Sequence, residues 1–198
     1  MKKQKEEKKK DGGNYMACWN FLKKSKWYVI TALAIFCAFI LVGFVAPIFF
    51  VDQINAIIQE IMLATEGLNG PEITAYIFFN NLQASFFAII IGTLFGIFPI
   101  IASIFNGYLI GFVMRFAVEE NGIFILWRLL PHGIFEIPAI ILSIGFGIKL
   151  GSNLFKKEKK WESLKKDFKE SMRFFIFVIL PLLIIAAIIE GTLITLAS

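Results

Sequence analysis

Long apolar runs separated by short polar clusters set the plan of this chain. Residues 27–50, 76–98, 99–118, 123–150 and 174–197 are each apolar enough, and at ~1.5 Å of helical rise per residue nearly or fully long enough, to cross a hydrocarbon core of ~30 Å. Hydrocarbon offers backbone N–H and C=O groups no water, so such runs must be helices. The pattern predicts an all-α fold, a polytopic transmembrane helix bundle of about five spans with amphipathic surface helices. No charged side chain separates the second run from the third, which predicts a tight hairpin turning near residues 96–100. The fourth run is longer than a span needs, ~42 Å as a straight helix. Its Pro131, Gly133 and Pro138 predict a broken fourth segment, with the break at residues 131–133.

The polar stretches between the runs carry their own patterns. Residues 1–10 are nearly all Lys, Glu and Gln and read as a disordered tail. Met16, Trp19, Phe21 and Leu22 beside Lys23, Lys24 and Lys26 predict a short interfacial helix at residues 15–26. Pro47 after Ala46 spoils the one small-residue cleavage site, so the first run is expected to stay as an anchor. Ile54, Ile57, Ile58, Ile61 and Met62 recur at helical spacing, which predicts an amphipathic helix ending near Gly67 to Gly70. The organisation is then a basic tail and interfacial helix at 1–26, span 1 at 27–50, an external segment at 51–75, a core of spans 2–4 at 76–151, a basic linker with a helix near 161–168 inside 152–173, and span 5 at 174–197.

Composition and charge narrow the class. With 58% hydrophobic residues and 23 phenylalanines the chain lacks the balance of a soluble domain. Its net charge of +5 does not point to nucleic acid, because the cations fall in two blocks beside apolar runs. Nine lysines precede the first run and eight basic residues lie in the linker, whereas the segments after spans 1 and 3 hold Asp52, Glu60, Glu66, Glu72, Glu119 and Glu120 and no base. The positive-inside rule then predicts a multi-pass protein of the cell membrane with a cytoplasmic N-terminus and an external C-terminus. Its expected partners are the lipid bilayer, membrane or envelope proteins and further copies of itself. Cys18 and Cys37 form no disulfide framework and read as packing residues.

Candidate chemistry sits where lipid should be. Arg128, His132 and Glu136 are ionisable groups within nine residues of one apolar run, and such groups are functional candidates by default. Counting rise from each span's end places Asn80, Asn81, Arg115, Arg128 and Glu190 ~5 to 10 Å below the external surface, an outer polar layer. Glu136 at ~20 Å from that surface and Asn106 at ~10 Å from the other fall at one deeper level. This predicts an Asn106–Glu136 hydrogen bond and a pairing of Arg128 or Arg115 with Glu190. The rival reading is helix-to-helix glue, since polar contacts in membranes contribute only ~0.6 to 2 kcal/mol each. Gly92, Gly96, Gly107, Gly111, Gly147 and Gly151 suit close helix packing. A catalytic zinc needs about three protein ligands, yet His132 is the only histidine. No metal, cofactor or catalytic residue is therefore assigned, and the expectation is a non-enzyme.

The ordered set Asn80-Asn81, Asn106-Gly107-xxx-Gly111 and Pro131-His132-Gly133-Ile134-Phe135-Glu136-Ile137-Pro138 resembles the stage II sporulation protein M family. The likeness runs over residues 78–151, and its motif positions are Asn80, Asn81, Asn106, Gly107, Pro131, His132, Gly133 and Glu136. The resemblance implies an integral membrane protein of bacteria or archaea with about five spans. In endospore formers the named member is a scaffold that holds the peptidoglycan hydrolases called stage II sporulation proteins D and P during engulfment. The expected function is thus a scaffold or recruiter at the cell envelope. A transporter or channel component with a polar site at Arg128, His132 and Glu136 is the alternative, since broken helices carrying carboxylates build such sites. An intramembrane enzyme is a third.

Overall fold

The interfacial segment and the first apolar run form one helix, α1, Gly13–Val45. Nothing between Lys26 and Trp27 breaks the ladder, so the expected surface helix is the first turns of the span itself. The helix stops where Pro47 turns Ala46 away from helical backbone, five residues short of the predicted end. The computed structural model describes residues 13–94 and 96–197, except for the side chains of 127–132 and 194–197. The predicted disordered tail lies outside the described residues.

A turn then leads into α2, Val51–Thr65. Of the five apolar positions that predicted it, Ile54 is fully buried against Tyr108 and Phe112, Ile58 packs beside them, and Ile61 and Met62 are exposed. Tyr108 also ties down the turn. Its hydroxyl donates to the Ala46 carbonyl at 3.0 Å and accepts the Phe49 N–H at 2.9 Å. Tyr108→Phe leaves both backbone groups unpaired, and the expected loss is ~1 to 2 kcal/mol, read as a lowered thermal midpoint in mild detergent.

Helix α3 is Gly70–Gly92 and α4 is Ile97–Asn121. The start of α3 is fixed by a capping box: Asn69 Oδ1 accepts the Glu72 N–H at 3.1 Å, and Glu72 Oε2 accepts the Asn69 N–H at 2.8 Å. With α3 ending at Gly92 and α4 starting at Ile97, the hairpin turns ahead of the predicted place. Gly96, at φ +71°, makes the left-handed turn, while Pro99 sits in the first turn of α4, where its missing N–H costs no hydrogen bond.

After a 3₁₀ turn at Ile123–Ile125, α5 runs without interruption over Leu126–Ser152. The break expected at residues 131–133 is absent. Each proline removes a single helical donor, whereas ending the helix would strand several backbone groups in a bundle that has no water to bind them. The linker forms α6, Lys160–Phe174, which passes through a π-helical turn, Phe175–Ile179, into α7, Leu180–Ala197. That wider turn lies just ahead of Pro181, whose ring would otherwise press on the preceding turn.

The described residues form no strand, and five helices are long and apolar enough to cross a membrane. Small residues set their register. Ser103 donates to the Ala32 carbonyl at 3.0 Å, and Gly107 and Gly111 lie against the backbones of Phe36 and Ile40, so α1 and α4 run parallel. Gly92 rests on Gly147, while Gly96 turns beside Ile148 and Gly151. Val29 against Gly145, with Ser25 beside Lys149, makes α1 antiparallel to α5. These contacts give alternate crossings. The lysine-rich segments gather at one end of the bundle and the acidic α2 and 119–122 turn at the other.

Candidate functional site

Three inward-facing stripes meet in the half of the bundle nearer the acidic end. On α3 the stripe is Asn81, Ser85, Ile89 and Gly92; on α5 it is Glu136, Ala139, Ser143 and Phe146; on α7 it is Ile179, Leu183, Ala186 and Glu190. Each repeats every three or four residues, as a helix needs to keep one face inward. Asn81, Glu136 and Glu190 stand as neighbours at one crevice. Its volume is about 10 Å³, and Ile77, Phe78, Leu183, Ala186 and Ala187 close it. That holds one water at most.

Glu136 has a second exposure. It also lines a cavity of about 750 Å³ between α4 and α5, whose other walls include Ile110, Met114, Leu126 and Ile137. Val113, Ile134 and Pro138 at its edge are exposed. A second groove, of about 530 Å³ between the start of α3 and the end of α7, shares Phe78 and Ala187 with the crevice. The carboxylate cluster therefore lies between two lateral, mainly apolar openings.

This constellation differs from the one counted out along the spans. Asn106 donates to the Ala102 carbonyl of its own helix at 2.8 Å rather than to Glu136. Arg115 pairs with Glu119 one turn on, at 2.6 Å and half exposed, not with Glu190. Asn80 faces outward, a helical step of ~100° away from Asn81. The depth count set Glu136 at a deeper level with Asn106, but α3 and α5 are parallel and locked at Gly92 and Gly147, three turns beyond Asn81 and Glu136 on both. That register puts Glu136 in the layer of Asn81 and Glu190. The side chains of Arg128, Pro131 and His132 lie outside the described residues. Gly133 is half-buried, and among the described residues a Cβ there would meet the Ile137 side chain of its own helix.

A second polar cluster was not anticipated. At the lysine-rich end Lys149 is buried, its Nζ donating to Ser25 Oγ at 3.0 Å, lying 3.4 Å from Asp167 Oδ1 and 4.0 Å from the centre of the Phe21 ring. Asn153 donates to the other Asp167 oxygen at 3.0 Å. The network pins α6 to α1 and α5. The one sequence signal for it is a lysine just inside the end of an apolar run.

Five apolar helices in alternate crossings around a buried polar cluster define a multi-pass helical membrane protein. The chain belongs to the Stage II sporulation protein M family, whose model matches residues 32–194. Two curated relatives come from Methanocaldococcus jannaschii, both described as uncharacterized. MJ0706 is 35% identical over 120 residues, covering 58% of this chain and 52% of its own length; MJ0793 is 34% identical over 116 residues, covering 56% and 65%. The chain thus matches between half and two thirds of each relative. No solved structure matches it.

Proposed function

We propose that this protein is a non-enzymatic membrane organiser that seats membrane segments of envelope proteins in its lateral openings, lying in the cell membrane with a cytoplasmic N-terminus and an external C-terminus. The observation that supports it is the cavity of about 750 Å³ between α4 and α5. Its size falls in the usual range of ~300 to 1,000 Å³ for a binding cleft. Its apolar walls suit the side chains of another span, and Glu136 supplies a polar contact of the kind interhelical packing commonly uses. The orientation draws on the lysines gathered at one end and the acids at the other.

A photo-crosslinking residue at Ile134 should join this chain to a membrane protein in cells, and Met114→Trp, which pushes an indole into the cavity, should weaken the adduct while the purified protein stays monodisperse. An unchanged adduct in that variant would remove the cavity from the account. One observation favours a second reading, transport. Glu136 is the shared wall of the small crevice and the large cavity, a carboxylate reached from both sides as a transport site requires. Under that reading Glu136→Gln abolishes solute or proton flux in proteoliposomes and spares partner capture. The organiser reading expects the reverse.

A further inference from the structure

The lysines of α1 and α6, far apart in sequence, are brought to one level by the buried network around Lys149. Ser25 lies between Lys23, Lys24 and Lys26, and Asp167 lies between Lys166 and Lys169; both bond to Lys149. These flanking lysines are all exposed. The same level is fixed relative to the bilayer by the α3–α4 hairpin, whose Gly96 packs on Ile148 and Gly151 and whose tip exposes Leu94, Ile97 and Phe98. An exposed apolar tip must stay at the edge of the hydrocarbon, so the lysines stand at headgroup height.

Tryptophans mark that boundary too. Trp19, Trp27 and Trp161 are exposed, and each carries a lysine Nζ 5.1 to 5.7 Å from its ring centre. An amphipathic indole beside an ammonium is the side-chain pair that sits where acyl chains meet phosphates. Of the described acids at this end, Asp167 is taken up by Lys149 and Glu170 by Arg173 at 2.8 Å, while Glu158 and Glu162 are exposed and outnumbered by the lysines around them.

We propose that the α1–α6 face is a binding site for anionic phospholipid, in which Lys23, Lys24 and Lys26 from α1 and Lys165, Lys166 and Lys169 from α6 receive the headgroup phosphates and Trp27 sits at glycerol level. Lipid fits better than nucleic acid or an acidic protein, because the charges border apolar spans and are interleaved with indoles. Each lysine near an anionic surface is worth roughly fivefold in association.

The test uses the full chain in mixed micelles and brominated lipids that quench tryptophan. Brominated phosphatidylglycerol should quench at a concentration at least tenfold lower than brominated phosphatidylcholine. K165Q/K166Q/K169Q should cut that preference by tenfold or more, whereas Arg115→Gln at the other end should leave it intact. If the α6 variant does not stay monodisperse, K23Q/K24Q/K26Q makes the same comparison. Equal quenching by the two lipids, or a preference that survives the lysine changes, would overturn the proposal. So would protection of the wild-type preference site by inorganic phosphate alone, which would make it a free-anion site, or by polyglutamate without lipid preference, which would point to an acidic protein.

Discussion

Asp167→Ala is expected to lower stability by ~3 kcal/mol or more, a size typical of breaking a buried ion pair. The change leaves the Lys149 ammonium, 10% exposed, with one hydroxyl and one aromatic face in place of a carboxylate. It also strands the Asn153 amide, which is almost wholly buried. The pair itself need not be strongly stabilising, because two ions have been taken out of water to form it. The double change Lys149→Met with Asp167→Leu should therefore lie within ~1 to 2 kcal/mol of the wild type, well above Asp167→Ala alone. Thermal unfolding of all three in one detergent checks the pattern, and additive losses would show that Lys149 and Asp167 are not coupled. Because α6 is held to the bundle through this pair, limited proteolysis should also cut near residues 156–160 faster in Asp167→Ala.

What could be read from the sequence follows from what acts locally. Apolar runs must become helices in lipid, so five crossings were legible, but the second of these helices starts at Gly70, six residues ahead of the expected 76, because Asn69 and Glu72 cap it at a spacing that apolarity alone does not reveal. Helix α2 was legible too, though only Ile54 of its stripe is fully buried. The uninterrupted α5 was not, because two prolines, a glycine and excess length signal a break locally, while inside a bundle every way of ending the helix costs more. The level of Glu136 was missed for a different reason. Counting rise from a span's end assumes that all spans begin at one height, whereas their heights are set by which small residues meet, here Gly92 and Gly147. Lys149 and Asp167 are a choice among many lysines and several acids, and nothing in their spacing selects that pair before the helices are placed.

Gly147→Val should leave little folded protein. A Cβ at Gly147 would fall on the Ala88 carbonyl and the Pro99 ring, and one at Gly92 would fall on the Gly147 backbone itself. None of these is a flexible side-chain end that can swing aside. Helices α3 and α5 would have to separate, which also parts Asn81 from Glu136 three turns away. In lipid no hydrophobic drive restores the contact, since acyl chains are as apolar as the side chains they replace, and close van der Waals packing is what holds such helices together. Overpacking typically costs ~1 to 3 kcal/mol, and a clash with fixed backbone belongs at or beyond the upper end. Gly133→Ala is the matched control from the same helix. Among the described residues its Cβ would meet the Ile137 side chain alone, at an ordinary 3.4 Å, and alanine gains ~1 kcal/mol of helix propensity over glycine. Folded yield by size exclusion should thus collapse for Gly147→Val and hold or rise for Gly133→Ala. Equal yields would mean that the α3–α5 contact does not carry the register of the carboxylate cluster.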